Sequence, residues 1–302
     1  MHQRKKQLGL GFVYRPDGFS RKGGLLRIAN DAVLTIRSAQ PHRQLFTLTS
    51  NPAGALYGTS PTRSLRMLER VIVIGCDSAW AYGIAILARL SGRSVSWLPS
   101  FHDPAFTVHP HRAKVAQFAL KAMQHLGITI YAQTDHELKL LSNHSASCAL
   151  LSCHGIPIDI EKQLDANMPP SNEQDQHKRD IDLLFLGRPT KQKGWHQFCH
   201  VVEASQLQCS ALLPTAPTEA GPANLCLQIN ASDAVVQEQL KRAKILVIPA
   251  QYESLGIAQL EGILAGCVVP VLGRWPFWDQ FEHLNWRDLS TTELARECSN
   301  LC

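Results

Sequence analysis

The feature that most constrains the fold is a rhythm. Short β-branched runs alternate with helical stretches along almost the whole 302-residue chain. In the first half the pattern predicts strands over 11–14, 44–49, 70–75, 94–98, 129–132 and 147–151. Helices are expected over 24–37, 80–90, 112–126 and 135–141. In the second half it predicts strands over 182–186, 210–214, 225–229, 245–248 and 268–272, with helices from Trp195, over 234–242 and over 257–265. Parallel strands need long crossovers, and helices supply them. The alternation therefore points to an α/β chain with mostly parallel sheets covered by helices.

Residues 161–180, EKQLDANMPPSNEQDQHKRD, break the rhythm. They are polar, carry prolines and hold almost no large apolar side chains, as a linker does. Two domains are expected, 1–165 and 181–302, joined by a linker at 166–180. A cleft between two such domains is a favoured place for a ligand.

Composition narrows the function classes. Apolar residues make up 45% and charged residues 18%, enough for a packed core. The nine cysteines are scattered, odd in number and free of any Cys-x-x-Cys pair. That argues against a disulfide framework or a zinc knuckle and for a reducing, cytoplasmic compartment. The basic start is followed by an apolar stretch too short and too glycine-rich for a secretory signal. Residues 71–88 carry only Asp77 as a charge, yet their β-branched run, Gly75 and polar middle read as strand, turn and helix rather than a membrane span. Residues 1–70 hold 12 Lys/Arg against 3 Asp/Glu, a net +9 inside a chain of net +5. Such a segment can attract an anionic membrane surface or a phosphorylated acceptor, or be merely solvated. No nucleic-acid partner is expected, and no metal.

Two segments carry chemistry. The first is ILVIPAQYESLGIAQLEGILAGCVVPV, residues 245–271. A buried strand runs through a turn into Glu253, Ser254, Leu255 and Gly256, and a helix opens at Ile257. Ser254 is the expected N-cap. Gly256 lets backbone approach a ligand closely. The helix start offers unpaired N–H groups and the positive end of a dipole, which suit a phosphate. Glu261 lies four residues after Ile257, on the same helix face, so both carboxylates can reach the crevice at the strand's carboxyl end and accept sugar or ribose hydroxyls. The second segment is DLLFLGRPTKQKGW, residues 182–195. A strand ends at Gly187, with Arg188 next and Lys193-Gly194 beyond. Two cations there can hold a diphosphate, Arg as a planar fork and Lys as a point charge.

At these segments the chain resembles the group 1 family of retaining glycosyltransferases. Its signature is a pair of glutamates with seven residues between them, here Glu253 and Glu261. Its companion is a strand followed by Gly-Arg and then Lys-Gly, here Gly187-Arg188 and Lys193-Gly194. Upstream, WLPSFHDP around His102, AQTDHE at 132–137 and HGIPID at 154–159 look like further family elements, and Gly23-Gly24 matches its early glycine loop loosely. The resemblance implies a GT-B fold, two Rossmann-like domains facing a cleft, with a second domain shorter at its end than the family's. It implies transfer of a sugar from a nucleoside diphosphate sugar to an acceptor hydroxyl, with no metal or other cofactor, in polysaccharide or glycoconjugate synthesis. Glu253, His102, Arg188 and Lys193 would be catalytic. Glu261, Ser254, Leu255, Gly256, Ile257 and Gly187 would bind the donor, and Gly23 and Gly24 would serve the acceptor.

Bland readings stand beside these. Thr134 and Glu137 fit a capping box. Cys153-His154 reads as packing at a domain end. Trp275, Trp278 and Phe281 read as core or interdomain packing, with an acceptor platform as the alternative. The rival function is a non-catalytic nucleotide-sugar binder of the same fold. An NAD-dependent oxidoreductase is disfavoured, because no Gly-x-Gly-x-x-Gly follows any strand.

Overall fold

A computed structural model describes residues 9–13, 36, 38–39, 45–48, 68–74, 79–98, 110–132, 134–143, 148–150, 179–253, 255–273, 275, 277–281 and 284–302. The chain divides into two compact units, Met1–Gly155 and Ile156–Cys302. All but the last two residues of the expected linker lie outside the described residues.

The first unit holds β1 (Gly9–Val13), β2 (Leu45–Leu48), β3 (Leu68–Ile74), β4 (Ser94–Leu98), β5 (Thr129–Ala132) and β6 (Cys148–Leu150). They form one sheet in the order β2-β1-β3-β4-β5-β6, every pair parallel. The described helices are α1 (Ala79–Leu90), α2 (Pro110–His125) and α3 (Asp135–Ser142). The helix expected over 24–37 lies almost wholly outside the described residues. From β3 to β6 the chain steps one strand at a time in one direction. Right-handed crossovers then put α1, α2 and α3 on the same face of the sheet. Val71, Val73, Trp97 and Ile130 point from the strands into a core closed by Ala88, Leu120, Met123 and Leu141. The guanidinium of Arg89, near the end of α1, donates to the carbonyl of Leu126, just past α2, so those two helix ends meet. Thr134 caps α3, its hydroxyl accepting from the Glu137 amide at 3.2 Å, as one half of a capping box requires.

The second unit holds β7 (Ile181–Leu186), β8 (Cys209–Leu213), β9 (Leu225–Ile229) and β10 (Ala243–Leu246), again all parallel, in the order β10-β7-β8-β9. Its helices are α4 (Trp195–Ala204), α5 (Asp233–Arg242), α6 (Ile257–Leu264) and α7 (Thr291–Leu301). Residues 268–272, expected as a strand, make only isolated parallel bridges. Val268 joins Ile245 of β10, and Val271 joins Asn285. Pro270 lies between the two bridges and has no N–H to give a ladder, which explains the interruption. With those bridges the spatial order becomes β9-β8-β7-β10-(268)-(285), the doubly wound 3-2-1-4-5-6 arrangement.

In such a sheet the chain winds outward from the middle in both directions. The first two loops to diverge are those after β7 and β10, at neighbouring carboxyl ends. The core beneath them is rich in fully buried side chains, including Leu183, Phe185, Phe198, Ile245, Val247 and Trp275. Among the described residues no helix is long and apolar enough to cross a membrane.

The described cysteines are all free. Burial pushes the Cys267 thiol up to about 11 and the Cys298 thiol up to about 12, from an ordinary value of 9.0. A thiol whose pKa is raised by folding favours the folded chain fully below the unfolded value and stops doing so as pH rises through the folded one. The melting temperature is therefore expected to fall as pH climbs from about 9 toward 12. Below that window, at about pH 8, iodoacetamide should modify the exposed Cys226 well before Cys267 or Cys298, as read by peptide mass spectrometry.

Candidate functional site

The loop after β7 begins at Gly187 and Arg188. Thr190 then caps a short 3-10 turn over Lys191–Lys193, its hydroxyl accepting from the Lys193 amide at 3.4 Å. Gly194 ends that turn and opens α4, with φ 72° and ψ 30°. Trp195 and Phe198 anchor the turn from below by packing on Phe185 of β7, with ring centroids 5.3 and 5.1 Å away. The turn is thus fixed by the aromatic core rather than left to loop flexibility.

The loop after β10 runs from Val247 through Pro249 to Gly256. It is laced to the first loop by four contacts. The Gln251 amide donates to the Gln192 carbonyl at 3.0 Å. The Gln192 side chain donates back to the Tyr252 carbonyl at 2.8 Å. The Lys193 ammonium is paired with the Glu253 carboxylate. Finally, a Cβ at Gly194 would lie 2.0 Å from the Pro249 carbonyl oxygen. Only glycine fits there, both for space and for its left-handed backbone.

Two indoles hold this loop from the other side. Trp275 donates to the Ala250 carbonyl at 2.9 Å, and Trp278 to the Leu255 carbonyl at 2.9 Å. Both rings are essentially unexposed and stack edge to face, 6.2 Å between centroids. Each satisfies a buried backbone oxygen that would otherwise be costly. Trp275, Trp278 and Phe281 therefore belong to the core of the second unit.

The helix start differs from expectation. Gly256, not Ser254, is the N-cap of α6, at φ 71° and ψ 64° with no side-chain cap. Ser254 itself lies outside the described residues. With no side-chain cap, and with the first intrahelical bond running from Leu260 to the Gly256 carbonyl, the amides of Ile257, Ala258 and Gln259 open the helix as donors. Gln259 is fully buried in the same turn, and among the described residues its carboxamide has no hydrogen-bond partner.

The structure thus brings Lys193 and Glu253 into direct contact and sets Gly187, Arg188, Leu255, Gly256 and Ile257 on the two loops around them. Arg188 is exposed, while Glu253 is 9% exposed and Leu255 is buried. Glu261 lies in the second turn of α6, half-buried and already engaged by a neighbour. His102, Gly23 and Gly24 lie outside the described residues. Sequence reading finds no signal for Gln192 or Gln259, and it marks Trp275 and Trp278 as packing residues without their donor roles. It also passes over an Asp-x-Asp spacing at Asp180-Ile181-Asp182. That pair sits at the amino end of β7, away from the site, with Asp180 bound to Arg242 and Asp182 to Lys244 at 2.7 Å.

No family model matches the chain, and no curated protein sequence does. Solved structures do. Anabaena Alr3699/HepE in complex with UDP and glucose is similar with a TM-score of 0.60 at 13% identity, over 97% of this chain and 89% of that one. The same protein in complex with UDP gives 0.59 at 12%, over 97% and 89%. AviGT4, a glycosyltransferase involved in avilamycin A biosynthesis, gives 0.51 at 12%, over 97% and 88%. At such identities the likeness is one of fold. The two Rossmann-like α/β units have the GT-B fold.

Gly194→Ala is expected to destabilise the chain by about 3 kcal/mol or more, from the left-handed backbone and the carbonyl clash together. Trp275→Phe should cost about 1–3 kcal/mol by leaving the Ala250 carbonyl buried and unpaired. Urea unfolding measures both, and a loss below about 0.5 kcal/mol in each would mean the loops are not held this way.

Proposed function

We propose that the protein is a glycosyltransferase that moves a sugar from a nucleoside diphosphate sugar to an acceptor hydroxyl, with retention of configuration. The observation that carries this reading is the meeting of Lys193 and Glu253 where the sheet's winding reverses, beside the open start of α6. Open α/β sheets bind ligands at that point. The UDP and glucose in complex with HepE, and the description of AviGT4 as a glycosyltransferase, support the same chemistry for this fold.

In this reading the second unit takes the donor. Arg188, Lys193 and the amides at Ile257 and Ala258 hold the diphosphate. As the glycosidic bond breaks, negative charge grows on the departing phosphate, and cations and N–H groups already in place stabilise it. That supply of positive charge is the basis for a reaction without a metal or other cofactor. Glu261 accepts from ribose hydroxyls. Glu253 accepts from hydroxyls of the donor sugar and orients its ring. Lys193, paired with Glu253, would turn part of its charge toward the incoming phosphate. Attack comes on the face the leaving group departs from, with a phosphate oxygen taking the acceptor's proton. The first unit, through Gly23, Gly24 and His102, presents the acceptor.

The remaining assignments follow as parts of the proposal. Group 1 membership rests on the glutamate pair and the Gly-Arg/Lys-Gly segment. Scattered free cysteines favour the cytoplasm. The basic residues 1–70 favour an anionic acceptor or membrane surface.

The test is a panel of nucleotide sugars, beginning with UDP-glucose, read first by thermal shift and then by mass spectrometry of products formed in a cell extract. A rise in melting temperature with donor consumption is expected. Arg188→Ala should slow turnover about a hundredfold or more while the fold stays intact. No shift with any donor at millimolar concentration contradicts the reading. A shift without turnover would make the protein a binder instead.

A further inference from the structure

The outward face of α1 and α2 remains unexplained by any sugar chemistry. In the first unit, the large hydrophobic side chains that stay exposed among the described residues are Ile86, Leu87, Leu90 and Phe118. Three of them follow one another along α1 at helical spacing with Gly83, and nothing lies within 4 Å of where a Gly83 Cβ would be. The fourth, Phe118, is 76% exposed in the middle of α2. The opposite sides of both helices, through Ile84, Ala85 and Ala88 and through Ala119, Leu120 and Met123, are spent on the core. The exposed stripes are therefore not misplaced core.

The Asp, Glu, Lys and Arg positions within α1 and α2 themselves are all basic: Arg89, Arg112, Lys114 and Lys121. Lys114 and Lys121 are exposed on α2, at positions four before and three after Phe118, and so flank it on one helical face. No Asp or Glu occurs anywhere from 104 to 134. Both helices lie on the same face of the sheet, and the Arg89 contact to Leu126 ties their ends side by side. Each helix thus presents an outer face with apolar side chains and, on α2, cations without a countercharge.

We propose that this face docks on an anionic bilayer surface, with Phe118 and Leu90 entering the headgroup boundary and Lys114 and Lys121 meeting lipid phosphates. A helix face with aromatic and aliphatic side chains among lysines binds membranes in this way, by apolar burial plus attraction to anionic lipid. Charge complementarity selects a membrane over a second copy of the chain, because two such basic faces would repel each other. The inference does not depend on the donor reading, nor on the basic residues 1–70. It would hold the first unit against the plane where lipid-linked or surface acceptors lie.

Flotation of the full chain with vesicles tests it. Phosphatidylcholine vesicles containing phosphatidylglycerol should carry the protein, and pure phosphatidylcholine vesicles should not. Raising the salt should weaken the binding. The double variant Lys114→Glu with Lys121→Glu should lose about tenfold or more in partitioning, and Phe118→Ser a smaller share. All three sites are exposed, so the melting temperature should not move. Three results overturn the proposal: no binding of wild-type protein to anionic vesicles, unchanged binding of the variants, or a concentration-dependent dimer that Phe118→Ser abolishes in the absence of lipid binding.

Discussion

The close approach of Gly194 to the carbonyl of Pro249 is the constraint on which the rest of the candidate site depends. It brings the loop after β7 against the loop after β10 with no room for a side chain between them. Once the backbones touch, Gln192 can bond both ways across the seam and Lys193 can reach Glu253. Neither loop has this geometry by local preference. The first is fixed by Trp195 and Phe198 beneath it, and the second by the indoles of Trp275 and Trp278 behind it. The Lys193–Glu253 pair is thus set on backbone held by four aromatic side chains, two beneath one loop and two behind the other.

The position of the seam has a topological cause. The winding of the second sheet reverses between β7 and β10, so helices α4 and α6 must leave on opposite faces. The crevice this opens is lined by a 3-10 turn carrying Lys193 on one side and by the start of α6 on the other. Positive groups gather there because one wall supplies an ammonium and the other the amides that open a helix. Glu253, nearly buried between them, is kept company by Lys193 rather than left as an isolated buried charge.

Much of this was legible from the sequence, and the exceptions are instructive. Strands such as β4 and β5 carry β-branched residues bounded by polar turns, and their limits were read correctly because packing and propensity agree. Glu253 and Lys193 stand out in the sequence because each follows closely on a strand end and fits the glutamate-pair and Lys-Gly pattern. Their mutual contact was not foreseen, since they are 60 residues apart and meet only through the parallel pairing of β7 and β10. Ser254 has the better capping side chain, yet α6 is capped by Gly256, whose left-handed backbone is packed closely by Trp278 and Gln259. Residues 268–272 have the Val- and Leu-rich composition of a strand, but Pro270 has no N–H for a ladder and leaves only isolated bridges. The roles of Trp275 and Trp278 as donors to buried carbonyls leave no trace in spacing at all.

The central claim is that the two laced loops form one diphosphate-binding site. Hydrogen exchange of the backbone amides with and without UDP addresses it most directly. The account predicts slower exchange on adding UDP both at 188–194 and at 255–259, with the outer strand β9 unchanged. Protection confined to one loop, or appearing only elsewhere in the chain, would contradict it.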